Sequence, residues 1–587
     1  MNKYLTLFGI ILSAFLGYGQ EEEDTIEVQE VTVIKSYTPS LQDVFKLRES
    51  PALIDSIGTT KKDITVEISS VPVASTFVPA KGTARKLQPK RSTPQFNSKA
   101  TLGFGNFNQL LMEYNTHYVI DRRQSLDWLV YYNGLLKTLE EVPLDTRQGV
   151  MMLNLSHQYA TSKRNAISQI NFRQHQQSFY GLREPLTDSF ILENINPKQN
   201  LNYLSVNSTW QWYEPVVKKL ALHTYLTTDR LGTTEVEVDF STKFQLVLGS
   251  IALSLLPEVT YLTTQFSEDF YTREEVKYAS GNGRVSFFTS KINGKFKFKA
   301  GASAVLGLGD EFEENSLFIY PILSLSYLPA KGNFAPFLNV EGQLKQNSFR
   351  SFTHQNPYVA PGIALQASSI PMHIQLGTRS KFFSGWEFQW NLYYQQNDQR
   401  PMYRNFGREI DRTNIVPYRY GNAFETTYAS IASQGVEAQL SAAFKNGGRL
   451  QFSARYSDYR FDDDDQSSLL QDTTPFNLPQ LSLLFNGTLK IGQKIYAQWY
   501  VKHLGARKNA YRLNFLGQNL ENAPVEIEDL PAFSQIDLEL QYQLNERWEI
   551  FIQGKNLSNE QQYQWSNYPV YGTQLLLGMR YNFDLAF

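Results

Sequence analysis

Among the 587 residues, the side chains that most often carry catalysis or hold metals are scattered or missing. His117, His157, His175, His223, His354, His373 and His503 stand without the short spacings that gather ligands round one ion, and the lack of cysteine removes thiolate chemistry. Gly281-Asn282-Gly283 and Gly307-Leu308-Gly309-Asp310 do not have the pattern of a phosphate-cradling loop and read as bends in strands. No catalytic set, cofactor or metal is therefore expected. The acidic run Asp462-Asp463-Asp464-Asp465 offers oxygen ligands to Ca²⁺, but no glycine turn or distal glutamate follows at ligand spacing, which favours a solvated loop. The residues best suited to binding lie in 399–432, where Tyr403, Arg404, Arg408, Tyr418 and Arg419 combine arginine with aromatic rings. That composition suits contact with a ligand or a second protein, and an ordinary surface loop can share it. A basic cluster, Lys81, Arg85, Lys86, Lys90 and Arg91, could face acidic groups or be an exposed linker. A formal net charge of -2 lacks the basic footprint of a nucleic-acid binder.

These residues sit on a repeating pattern. In the stretch 534–544, Ile536, Leu538, Leu540, Tyr542 and Leu544 alternate with Asp537, Glu539, Gln541 and Gln543. A strand sends successive side chains to opposite faces, so such a segment has one oily face and one wet face. Leu126, Trp128, Val130 and Tyr132 form a similar stripe opposite Asp127 and Asn133. The pattern predicts 22 strands, near 98–106, 108–120, 125–138, 147–160, 165–179, 200–214, 218–229, 233–246, 250–266, 274–290, 294–308, 316–329, 333–346, 371–381, 385–398, 433–445, 449–462, 480–490, 495–507, 533–544, 548–556 and 573–587. Connections after even-numbered strands are short, and those after odd-numbered strands are often long, as at 180–199, 347–370, 399–432, 463–479, 508–532 and 557–572. The expectation is an all-β, antiparallel transmembrane barrel of about 22 strands, with short periplasmic turns and longer extracellular loops. Lipid offers no hydrogen bonds, so the sheet has to close on itself. Asp537, Glu539, Arg580 and Asp584 would then face the lumen.

The chain start reads as an address. Met1-Asn2-Lys3 is a basic lead, residues 4–16 are mainly apolar, and Gly17-Tyr18-Gly19 provides small residues for cleavage, so 1–20 is expected to be a signal peptide. Residues 21–97 are proline-rich with little sustained periodicity, and 98–587 carries the barrel pattern.

Trp548-Glu549-Ile550-Phe551-Ile552-Gln553-Gly554-Lys555-Asn556-Leu557, then Tyr563, then Tyr568-Pro569-Val570-Tyr571-Gly572, then Leu577-Gly578-Met579-Arg580-Tyr581-Asn582-Phe583 resembles the end of TonB-dependent receptors. The resemblance implies that the closing strand serves as an insertion signal for the barrel-assembly machinery, carried by Tyr581, Phe583 and, through the four extra residues, Phe587. An unpaired terminal strand can be read by strand addition, which supplies the physical mechanism. Near the start, Glu27, Val28, Glu30, Val31, Thr32 and Val33 resemble the TonB box, the segment such receptors offer to a TonB-type energy-coupling protein; a plain tether has the same texture. The plug is where the chain departs from the family. Only 63 residues separate Ile34 from Ser98, too few for the globular plug of a TonB-dependent receptor. The reduced segment, inward loops such as 399–432, or another envelope protein must fill a lumen of this width. The expected function is passage of a solute across the bacterial outer membrane; the alternative is a non-transporting barrel that serves as a scaffold in an assembly or secretion complex.

Overall fold

The computed structural model describes residues 96–183, 186–213, 216–310, 312, 316–329, 334–409, 411–461, 475–513, 524–559 and 562–585. These belong to the unit Pro89–Phe587. The expected signal peptide, the TonB-box-like residues, the basic cluster, the four aspartates 462–465 and Phe587 lie outside the described residues.

The alternation read from the sequence becomes a closed sheet. Twenty-two strands run in chain order from Ser98–Gly105 to Gln574–Phe583, each antiparallel to the next, and the last pairs with the first from Ser98↔Phe583 to Gly105↔Leu576. Closure leaves no sheet edge without partners, the condition for a β-structure in lipid. Each of the 22 expected strands has its counterpart, with ends moved by a few residues in most cases. The two faces separate as the pattern requires. Leu577 is 65% exposed on the outside, whereas its chain neighbour Leu576 is 2% exposed and packs inward against Leu111 and Phe551. Leu540 and Tyr542 are exposed on the outer face while Glu539, the residue before Leu540, is buried.

Turn chemistry sorts the two ends of the barrel. At one end the connections are tight: Gly249 and Gly294 take positive φ of 61° and 57° in two-residue turns, a conformation open to glycine at little cost. At the other end lie the loops 136–147, 179–197, 267–275, 346–367, 406–423 and 556–573, two helices (Ser189–Asn194 and Phe349–Gln355) and a hairpin formed by Arg507–Arg512 and Val525–Leu530.

Three expectations are corrected here. The 399–432 region is not loop throughout, because strands Trp386–Asn405 and Phe424–Ala443 continue through much of it, so that Tyr403 and Arg404 are strand residues. A register shift between Asn397 and Arg400, with Gln399 at φ 54°, resets the alternation and hid this extension. The 508–532 region likewise holds the hairpin just named. The closing strand ends at Phe583 rather than at the chain terminus, since its partner strand begins at Ser98.

Candidate functional site

The long loops fold together into a cap with its own apolar core. Leu144, Tyr180, Phe349, Phe352, Val359, Phe424 and Tyr568, drawn from loops and strand ends around the circumference, form one buried cluster. The rings of Tyr358 and Tyr568 stack at 3.4 Å between centroids, and Tyr180 meets Tyr568 edge-on at 4.9 Å. Gly181 permits this approach, since a Cβ there would collide with the Tyr568 ring. Phe270 and Phe406 stack at 3.4 Å in a second cluster. Backbone pairing joins the parts as well: Ala360 N–H donates to Phe424 C=O and Phe424 N–H donates to Tyr358 C=O, each at 3.0 Å. Such contacts bury aromatic area and give the buried backbone groups partners, so the loops hold one arrangement.

Charged groups stitch the cap to itself and to the wall. Glu425 accepts from Arg404 Nε at 2.7 Å, Arg512 Nε at 2.8 Å and Tyr271 Oη at 2.5 Å. Arg419, 3% exposed, pairs with Glu409 at 3.1 Å and Glu268 at 3.2 Å. Arg273 pairs with Asp411 at 3.2 Å and with Glu409. Hydrogen bonds from the Thr413 side chain and backbone hold the Asp411 carboxyl down at about 2. Burial raises the Tyr418 hydroxyl to about 12, against the pull of the Arg419 charge. For Asp145 in loop 136–147, burial pushes the carboxyl up, but hydrogen bonds from the Arg147 side chain and backbone outweigh it and bring the value to about 2.

A helix start also ties the cap to the barrel wall. Ser348 caps the helix Phe349–Gln355 by accepting from Ser351 N–H at 3.2 Å. The first helical N–H groups lack partners within the helix. Phe349 N–H and Arg350 N–H donate instead to the two carboxyl oxygens of Glu235, at 2.7 and 2.9 Å, and Thr264 Oγ1 donates to the same carboxyl at 2.7 Å. Arg350 Nη2 reaches the neighbouring inward carboxylate, Glu237, at 2.6 Å.

Beneath the cap the interior includes an upper and a lower chamber. The upper one, about 790 Å³, is lined by Arg284, Lys299, Lys345, Arg400, Arg455, Glu341 and His373, with Tyr403, Phe476 and Trp565 from the cap side. The lower one, about 870 Å³, borders Glu387, Arg449, Asp537 and Glu539 near the tight turns.

The residues singled out from sequence are only partly brought together. Glu539 and Arg580 pair at 2.5 Å, and Arg580 lies over the Phe551 ring at 4.1 Å. Asp537 accepts from Gln535 Nε2 at 2.8 Å and Asn556 N–H at 3.0 Å. Asp584 is apart from them, accepting from Asn97 N–H at 3.3 Å at the rim. Tyr581 packs on Trp548 at 4.5 Å and on Phe583 at 5.5 Å, an aromatic cluster at the tight-turn end. Tyr403, Tyr418 and Arg419 are buried inside the cap, Arg404 belongs to the Glu425 group, and Arg408 is half-buried beside Tyr420 through an isolated bridge. The sequence reading missed Glu235, Glu425, Lys345, Arg400 and Tyr568. Glu235 and Glu237 did leave a signal: two carboxylates at alternate positions, opposite Val236, Val238 and Phe240, place charge on the inward face.

A closed antiparallel barrel of 22 strands, oily outside and polar within, with its loops folded into a cap, has the architecture of a large membrane-spanning β-barrel. Solved structures share this fold. The FrpB iron transporter from Neisseria meningitidis is 11% identical with a TM-score of 0.59, over 84% of this chain and 82% of that one. The siderophore receptor PirA from Acinetobacter baumannii is also 11% identical at a TM-score of 0.59, over 84% and 81%. The ferripyoverdine receptor of the outer membrane of Pseudomonas aeruginosa is 10% identical at 0.54, over 84% and 72%. These are TonB-dependent receptors, and the barrel has their fold. No protein-family model and no curated protein matches the sequence.

Proposed function

We propose that this chain, after loss of residues 1–20, is a bacterial outer-membrane barrel that passes a solute inward through its capped lumen. The observation that carries the reading is the pairing of a closed oily-walled barrel with chambers under a folded loop cap, a conduit with a lid. Residues 21–97 form the periplasmic segment, and 98–587 the barrel. Glu27, Val28, Glu30, Val31, Thr32 and Val33 offer an added strand to a TonB-type energy-coupling protein. Asp537, Glu539 and Arg580 line the lower route, with Asp584 at its rim. Tyr581 and Phe583 address the barrel-assembly machinery, and the outer face contacts membrane lipid. The cap residues Tyr403, Arg404, Arg408, Tyr418 and Arg419 govern entry. No catalytic role is assigned; the structural relatives include an iron transporter, a siderophore receptor and a ferripyoverdine receptor.

Single-channel recording tests the reading, using the mature chain, a form lacking residues 21–97, and a Glu235→Ala form with its cap loosened. Steady current in any of the three supports a conduit. Silence in all three overturns it and leaves a scaffold. Coupling is tested separately, by binding of the purified periplasmic domain of the energy-coupling protein: the mature chain should bind it, and a form lacking residues 25–34 should not.

A further inference from the structure

Among the described residues, the cap and wall leave a charge imbalance in the upper chamber. Five cations line it, Arg284, Lys299, Lys345, Arg400 and Arg455, against the one carboxylate Glu341. Arg284 engages Glu258 at 3.5 Å, and Arg455 engages Glu437 at 3.4 Å. With those carboxylates counted, two positive charges remain. Among the described residues no carboxylate lies within ion-pairing distance of Lys345 or Arg400, although Arg400 lies 5.5 Å from the centre of the Tyr459 ring. Unpaired cations that share one chamber cost free energy by mutual repulsion, which an incoming anion relieves.

The wall is shaped at this level. Three consecutive strands lose register beside the chamber: between Glu341 and Gln343, between Ser369 and His373, and between Asn397 and Arg400. Bulges bend a strand and re-aim its side chains, and they gather beside functional sites. Here they flank both unpaired cations. Around them the lining is rich in neutral hydrogen-bonding groups, including Gln343, Gln395, Asn397 and Ser368, with the Tyr403 and Trp565 rings on the cap side. A space of about 790 Å³ falls within the range of small-molecule sites.

We propose that the upper chamber is a binding site for a hydroxyl-bearing organic anion, a phosphorylated or carboxylated small solute, with Lys345 and Arg400 as the residues that meet its charge. The amides and hydroxyls take its polar groups and the rings cover its less polar faces. The inference deepens the transport reading by giving its solute a chemical class, and it rests on that reading only for the direction of passage.

The test is calorimetric titration of the mature full chain in detergent with glucose 6-phosphate, citrate and neutral glucose, in low and high KCl. The phosphate ester, the carboxylate or both should bind, more weakly in high salt, and glucose should not. The arm that binds identifies the anionic group. The double variant Lys345→Gln with Arg400→Gln should weaken binding by about tenfold or more, whereas Arg122→Gln with Arg123→Gln in a tight turn, an equal change in charge, should leave it unchanged. Heat-modifiable migration on gels confirms that each variant is folded. Binding of neither anion, equal binding of glucose, or unchanged binding by the folded double variant overturns the proposal. Because binding is read without current, a silent barrel that still takes the anion would sink the transport reading alone, and a conducting barrel that ignores both anions would sink this inference alone.

Discussion

Glu235→Ala should release the cap helix from the wall while leaving the barrel intact. In the folded chain the Glu235 carboxyl, 1% exposed, takes the N–H groups of Phe349 and Arg350 and the hydroxyl of Thr264. Alanine leaves both buried backbone donors without an acceptor; the hydroxyl can turn elsewhere. At about 1–3 kcal/mol for each unsatisfied buried donor, the closed arrangement loses about 2–6 kcal/mol relative to the open one. One factor of ten per about 1.4 kcal/mol converts this to roughly 30-fold to 10⁴-fold more opening. Hydrogen–deuterium exchange of a peptide spanning 346–356 reads that opening directly. The closing strand Gln574–Phe583 serves as the internal reference, since its pairing with Ser98–Gly105 does not involve the cap. Glu235→Gln should fall between the two, because one remaining oxygen keeps one bond while the amide nitrogen turns a donor toward a donor. Exchange of the 346–356 peptide within about threefold of the unmodified chain, a change under about 1 kcal/mol, would refute the reasoning, because it would mean the carboxyl does not hold the helix.

Asp145 provides a pH dependence with a defined sign. Its folded value, about 2, lies below the ordinary aspartate value of about 4, so its support is complete above the latter and lost as pH falls through the former. Exchange of loop 136–147 should therefore quicken between those two values, and Asp145→Asn should show no such step. Arg419→Met should expose the cap to limited trypsin digestion, because Glu268 and Glu409 lose their shared cation; a cost of about 2 kcal/mol is expected, and an unchanged cleavage rate would count against it. Tyr581→Ala combined with Phe583→Ala removes the rings packed on Trp548 and Tyr114, and the heat-modifiable folded fraction in membranes should fall several-fold. Deleting residues 586–587 should leave that fraction unchanged, since strand pairing ends at Phe583.

The sequence by itself determined the barrel. Each strand carries its own record of two environments, as Leu575, Leu577 and Met579 do on one face of the closing strand, because side chains alternate with a period of two and lipid and water select opposite residue types. The sorting of short and long connections was legible for a related reason: tight turns demand local chemistry, such as glycine at positions 249 and 294. Only the tertiary structure decided the cap and the chamber. Tyr180, Tyr358 and Tyr568 meet across hundreds of residues of chain, and no local pattern specifies such a contact. Arg400 was hidden for a second reason. It lies beyond a bulge in its own strand, and one extra residue reverses the face on which every later side chain is counted. The alternation that reveals a regular wall therefore fails where the wall is bent, and it is bent beside the chamber.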